Sequence, residues 1–456
     1  MRKKSNIGSY IFGTVFIVII GALLYLFNSS SFEQNKPQVS IQKDIYWNLR
    51  DSLNFTITDD TGIKYYKITY MDGENEKVLD TKVLETPQTS IDLKIEPPKL
   101  GMFYKGENVK LKIEATDISK WNFFNGNSME TVVDIIVDST RPVANVIANT
   151  YAIVRGGSGV VIVEVRDENL EDMYLTFNDI VRFELTPFYK EGYYISLLAW
   201  PMEIESFEQV SLIATDKANN TTKTKVPLYI RNYNYKTDDL EITDNFIENV
   251  STIVLENARK PIDEEPIKRF LRSNMELRAE NINTIKKVTL NSMDVRRIDK
   301  FEINPFVRLR NSKTLAGYGD KRNYFYKGQQ IDTQWHLGID WASVRNAPIH
   351  TSNSGRVIYK GYLGIYGNTL IVDHGLGLGS LYAHFSSATV DEGDMVQANA
   401  HIANTGATGA VFGDHLHFGV LVQGNEVNPL EWMDRSWIKT RITDIIDSAK
   451  KAIDTK

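Results

Sequence analysis

The chain contains seven histidines, His336, His350, His374, His384, His401, His415 and His417, and all of them fall in one C-terminal window. Two patterns inside that window have the spacing of metal ligands. HLGID puts His336 and Asp340 four apart, and GDHLHF puts His415 and His417 two apart. Along a strand, residues an even number apart face the same side, so either pair can converge on one atom. A four-residue spacing would also share a helix face, but Gly338 and the glycine-rich surroundings favour extended chain. Two imidazoles and one carboxylate complete a zinc site with three protein ligands and a fourth position for water. Such an ion brings the ionisation of water near neutral pH and polarises a carbonyl. Histidines satisfied by ordinary hydrogen bonds are the plain alternative, and two ligand patterns on a histidine-poor chain weigh against it. A third element, LYAHFSS, carries His384 just after Tyr382. A histidine there can act as acid or base, or hold a developing oxyanion, without touching metal; an exposed histidine at a strand end is the competing reading.

Composition narrows the chemistry further. With no cysteine among 456 residues, a disulfide scaffold, a thiolate zinc site, a catalytic cysteine and a lipoprotein anchor are excluded. Any metal must be held by nitrogen and oxygen. The net charge of -6, without a long basic run, argues against a nucleic-acid protein, whose phosphate contacts need clustered Lys and Arg. Hydrophobic residues at 42% and aromatics at 11% suffice for packed cores, in two to four domains of roughly 100–200 residues.

The elements that must position these histidines are mainly β. Arg2, Lys3 and Lys4 precede an uncharged apolar stretch, Ile7 to Phe27, long enough for a ~30 Å hydrocarbon core. The basic flank predicts a cytoplasmic N-terminus and export of the remainder. A cleaved signal peptide competes, although the apolar stretch is long for one and no A-x-A site follows it. We read 1–28 as cytoplasmic tip and transmembrane anchor, and 29–40 as a polar tether. Residues 41–140 and 141–234 read as tandem immunoglobulin-like β-sandwich modules. Short alternating runs such as Leu53–Thr58 and Val160–Val165 are separated by turns including Asp72-Gly73 and Asn125-Gly126, both suited to tight hairpins. The zone also repeats weakly. LNFTITDDTGIKYYKITY from Leu53 resembles VIVEVRDENLEDMYLTF from Val161, and VKLKIEATD ending at Asp117 resembles VSLIATD ending at Asp216. From 235 to 292 apolar residues recur at helical spacing, Ile242 to Val254 and Ile267 to Leu277, giving a helical linker or a lid. Residues 293–434 return to short strands and glycine turns, and 435–456 form a C-terminal amphipathic helix.

HLGID, YAHFS and GDHLHF, in this order, resemble the LytM/lysostaphin-type (M23) zinc metallopeptidases, and the upstream segment GYGDKRNYFYKGQQIDTQWHLGID resembles their membrane-anchored cell-wall endopeptidase branch. The resemblance covers residues 315–432 and implies an antiparallel β peptidase domain with one Zn2+ per chain. It implies His336, Asp340 and His417 as the metal ligands, and His384 with His415 as the catalytic pair. His374, in IVDHG, matches a position that appears structural in the family; His350 and His401 match no ligand position. The implied substrate is the peptide cross-links of peptidoglycan, cut by a metal-activated water. The implied location is a bacterial inner membrane, crossed once, with the catalytic domain in the periplasm and envelope partners met through the β modules. Relatives that have lost ligands activate cell-wall amidases instead, so a non-enzymatic scaffold or activator is the alternative; the complete ligand set argues for a hydrolase. Asp320, Lys321 and Arg322 receive no role from motif logic. GLGLG at 375–379 lacks the strand-to-helix context of a nucleotide fingerprint and reads as a turn. The sequons at Asn54 and Asn219 carry little weight if the protein is bacterial, as the resemblance implies.

Overall fold

The computed structural model describes residues 7–41, 44–99 and 108–455; the basic flank Arg2–Lys4 lies outside them. Ile7–Asn28 is one helix with no buried residue. At ~1.5 Å per residue it is about 33 Å long, and by length and composition it can cross a membrane.

The chain then divides into two compact units, the first comprising residues 1–141 with 215–221 and the second the remainder. The first is built on one six-stranded sheet. Its frame is a long hairpin, Leu53–Asp72 with Asn75–Ile95, closed where Asp72 pairs with Asn75. Gly73 sits in that turn at φ 59°, backbone that costs glycine little, as the Asp-Gly pair predicts. Register shifts between Thr58 and Tyr65 bend the first long strand, so that its early half pairs with Gln38–Ser40 and its later half with Asn108–Asp117. Bulges bend strands in this way. Alternating Phe55, Ile57, Ile68 and Tyr70 fill the core with Leu111 and Ile113. Asn125-Gly126 does not close a two-residue hairpin. A short helical turn, Trp121–Phe124, intervenes between the strands ending at Asp117 and beginning at Ser128.

The strands from Val143–Asn149 to Thr221–Lys225 form two four-stranded sheets, apart from Ala152–Val154, which pairs with Tyr229–Arg231. Ser158–Arg166 is buried along its whole length except Arg166, because a helix covers one face. Ile438, Ile442, Ile446, Ala449 and Ile453, at helical spacing, pack into the same core. That core runs without a break into the C-terminal domain through Trp432, Tyr382 and Phe418. Trp432 Nε1 donates to Ser158 Oγ at 2.9 Å, and the Glu431 carboxylate accepts from Ser158 N at 2.9 Å.

The segment 235–292 begins with a strand, Thr237–Glu241, paired in parallel with Lys321–Tyr326. Helical runs follow at 244–257, capped by the Thr243 side chain, and at 266–292, opened by Pro266. Each contains a widened π-type turn, Ile247–Thr252 and Arg272–Leu277. Val254, Leu255, Leu277 and Ile285 pack on Ile371, Leu381 and Leu421 of the main sheet. That sheet has eight strands, with Ile339–Ala342 and Leu378–Ala383 flanking Leu416–Val422, and its pairings are antiparallel.

Candidate metal and catalytic centre

Sheet register assembles the site. Asp340 lies directly opposite His417 on the neighbouring strand, and His417 lies opposite Ala383 on its other side, so that His384 emerges next to it. His336 is not on the strand that carries Asp340. It lies just past the end of Gln329–Trp335, and a bend at Gly338 separates it from the strand Ile339–Ala342. The bend passes close to His417, since a Cβ on Gly338 would stand 2.4 Å from His417 Nε2.

Three donor atoms meet at this point. His336 Nε2 is 3.1 Å from Asp340 Oδ1 and 3.2 Å from His417 Nδ1, and His417 Nδ1 is 2.9 Å from Asp340 Oδ1. A tetrahedral zinc ion with bonds of ~2.0–2.1 Å has ligand-to-ligand edges of about 3.3 Å, so the triangle suits such an ion almost as it stands. The outer atoms are also arranged. His336 Nδ1–H donates to the Gly317 carbonyl at 2.7 Å, which leaves Nε2 its lone pair for a metal. Gly317 is in turn held by the Asp320 carboxylate, which accepts from its N–H at 2.9 Å, while the Asp320 carbonyl accepts from His336 N. Arg322 approaches the outer oxygen of Asp340 at 3.8 Å. Asp320 and Arg322 thus have supporting positions that no motif reveals, because both act through neighbours.

The electrostatics favour a charged Asp340 carboxylate beside neutral rings at His417 and His384. Burial alone would raise Asp340, but His336 and His417 outweigh it and hold the carboxyl well below the ordinary range. Burial pushes His417 down to about 4. His384 falls to about 3 through burial and the neighbouring His417 and His415 rings. Neutral imidazole is the form that binds metal or accepts a proton.

His384 and His415 stand together beside the triad, ring centroids 5.0 Å apart. His384 Nδ1–H donates to Thr408 O and His415 Nδ1–H to Gly413 O, both at 2.8 Å. Each therefore keeps Nε2 out of hydrogen bonds, with His415 Nε2 lying 3.7 Å from Asp340 Oδ1. His384 has φ 65°, a left-handed backbone that is costly for a non-glycine residue, and its N–H is fixed to Tyr366 O at 2.9 Å. The five residues line one cleft of about 390 Å³, whose other walls include Phe246, Phe270, Asn274, Arg278, Arg322 and Phe412. Behind the cleft, the Tyr366 hydroxyl lies 2.9 Å from both oxygens of buried Glu426, whose carboxyl is pushed up to about 8 by burial.

The remaining histidines stand apart. His374 bonds to Ser354 O and Ser380 Oγ and is pushed down to about 4 by burial, a structural post. The rings of His350 and His401 lie 5.5 Å from each other, and neither lines this cleft.

Residues 334–429 match the model of peptidase family M23. The chain is 34% identical over 132 residues to the DD-carboxypeptidase/endopeptidase Mpg of Neisseria meningitidis, a stretch that covers 28% of each protein. It is 41% identical over 122 residues to the murein hydrolase activator EnvC of Escherichia coli, covering 27% of each. The chain thus spans little more than a quarter of the length of these relatives. Among solved structures, the catalytic domain of lysostaphin from Staphylococcus simulans is 27% identical, over 27% of this chain and 94% of that one, with a TM-score of 0.24. The matched residues hold the whole His-Asp-His triangle, and through this C-terminal domain the chain belongs to peptidase family M23.

Proposed function

We propose that the protein is a zinc-dependent endopeptidase that hydrolyses peptide cross-links of bacterial peptidoglycan. The observation that carries this reading is the triangle of His336 Nε2, Asp340 Oδ1 and His417 Nδ1, closed to 2.9–3.2 Å and set in one cleft with two further histidines. One zinc ion held by those three atoms would polarise the scissile carbonyl and make water ionisable near neutral pH. His384 and His415 supply the proton chemistry. With Nδ1 of each tied to a carbonyl, Nε2 is the only nitrogen free to act. One takes the proton from the attacking water on Nε2 and hands it to the leaving amine; the other, when it carries a second proton on Nε2, donates that N–H to the developing oxyanion. Burial keeps His384 neutral, the form a base requires.

Anchorage in a bacterial inner membrane, with the catalytic domain in the periplasm, is part of this reading, supported by the exposed apolar helix Ile7–Asn28. The two β modules are the immunoglobulin-like part and offer surfaces for envelope partners. The likeness to EnvC favours a second reading, an activator that binds wall or amidase without cutting. The test is to incubate the full chain, zinc-loaded in detergent, with purified sacculi and to weigh the released muropeptides. Loss of cross-linked dimers with gain of monomers supports the endopeptidase. Unchanged sacculi, with zinc shown to be bound, leave the activator.

A further inference from the structure

In the first unit, one carboxylate oxygen each from Glu33, Asp59 and Asp117 lies within 4.8 Å of the others. The three come from distant places: the segment just after the apolar helix, the bulged loop of the long strand, and the end of the strand Asn108–Asp117. Asp117 is fully buried and Asp59 is 8% exposed. Among the described residues no Lys, Arg or His forms an ion pair with any of them. The amide of Asn127 donates to Asp117 Oδ2, Glu33 Oε1 and the Glu33 carbonyl, and Asp117 Oδ1 accepts from Ser119 N and Asn127 N. Asp59 differs. Its Oδ1 accepts from Thr61 and Gly62, but its Oδ2 is buried with no hydrogen-bond partner at all. An orphaned, buried carboxylate oxygen is costly unless something positive sits on it, and here it belongs to a cluster of three like charges.

We propose that Glu33, Asp59 and Asp117 bind a divalent cation of the calcium type, separate from the catalytic centre. All-oxygen donors with three carboxylates suit a hard ion of flexible coordination and offer nothing to a soft one. Without the ion, carboxylates this close repel one another, and Glu33 is accordingly raised above its ordinary value by burial and by Asp117 and Asp59. A proton shared between Glu33 and Asp117 is the competing way to relieve that repulsion. The design also recurs in sequence: aligning the two repeated segments puts Asp59 with Asp167 and Asp117 with Asp216. Asn220 N and Nδ2 bond to Asp216 as Asn127 N and Nδ2 bond to Asp117. The ion ties the segment leaving the membrane helix to two loops of the β module, so calcium fixes how that module stands on its anchor.

The test uses the full chain in detergent, stripped with chelator and reloaded with zinc, and titrated with calcium chloride by calorimetry and by thermal melting. Saturable uptake is expected, at the ~10⁻⁴–10⁻³ M affinity of extracellular calcium modules, with the first unit melting about 5 °C higher at saturation. Asp59→Asn keeps the hydrogen-bonded Oδ1 and replaces the orphaned Oδ2; Glu33→Gln keeps Oε1 for Asn127 and gives up the Oε2 that accepts from Asn35 N. Both are expected to lose one equivalent of calcium and the melting shift while keeping the wild-type circular dichroism. Equal calcium binding in wild type and both variants, or no saturable uptake by the wild type up to ~10 mM, overturns the site and leaves the shared proton.

Discussion

Gly338 controls how near the HLGID turn comes to His417. A methyl group there would stand 2.4 Å from the ring and 2.8 Å from the Phe418 carbonyl, neither of which can step aside without moving the sheet. Gly338→Ala is therefore expected to fold, as judged by near-UV circular dichroism, but to bind zinc roughly 10- to 100-fold more weakly, the usual cost of disturbing a ligand's support; unchanged zinc affinity would show that the ring has room. The ligands and the proton carriers separate in the same way. His417→Ala removes a triangle atom and should lose metal and turnover together. His384→Ala leaves all three ligand atoms in place, so zinc content should persist while turnover falls by ~10²–10⁴-fold. A wild-type rate in that variant would remove His384 from the mechanism. These residues were legible because their types are rare and their spacing is tight. Asp320 was not, since it works through the Gly317 backbone and a carbonyl contact leaves no pattern in side-chain identities.

Elements explain where even spacing misleads. His415, bridged to Gly406, directly precedes the strand Leu416–Val422 that carries His417, while a bend at Gly338 separates His336 from Asp340, and the triangle closes through cross-strand register rather than along a strand. Register belongs to pairs of segments and cannot be read from one. The tight placement of the helical runs was also hidden, although Val254, Leu277 and Ile285 sit at helical spacing. Their apolar stripe covers Leu381 and Leu421, which makes 244–292 part of the domain's own wall rather than a detachable flap. Phe246 on the first run meets Phe412 across the cleft, ring centroids 4.8 Å apart, while Phe412 is otherwise 73% exposed. This pair narrows the entrance. Phe246→Ala should raise the rate on intact sacculi several-fold and leave hydrolysis of a short soluble cross-linked peptide unchanged. A fall on both substrates would instead make Phe246 a substrate contact.

At the scale of the molecule, one large core runs through the second unit from the β strands at Val143 to the helix ending at Asp454, with smaller clusters beside it under the helical runs. Val160–Val165 departs from the alternation expected of it: SGVVIVEVR is a nearly continuous apolar run, buried up to Val165, the mark of a strand covered on both faces. What covers it, a helix almost 300 residues further on, no local pattern can say. The merged core also buries Glu426 and Glu431, both pushed up to about 8 by burial. The folded chain therefore holds these two protons up to that pH, whereas the unfolded chain releases them near the ordinary 4.5. Their contribution to stability is present in full below 4.5 and is lost as pH rises through about 8. His384 and His417, lowered to about 3 and 4 in the metal-free chain, act with the opposite sign, adding stability as pH climbs toward 6.5. Between 6.5 and 8 the histidine contribution fades and the glutamates dominate. The chelated chain should thus lose stability over that interval in urea melts, and Glu426→Gln, which keeps an acceptor for the Tyr366 hydroxyl without the ionisable proton, should roughly halve the slope. A slope identical to wild type would mean that Glu426 is already ionised in the fold, balanced by Arg278, and that the buried carboxyl is a charge the domain has learned to hold.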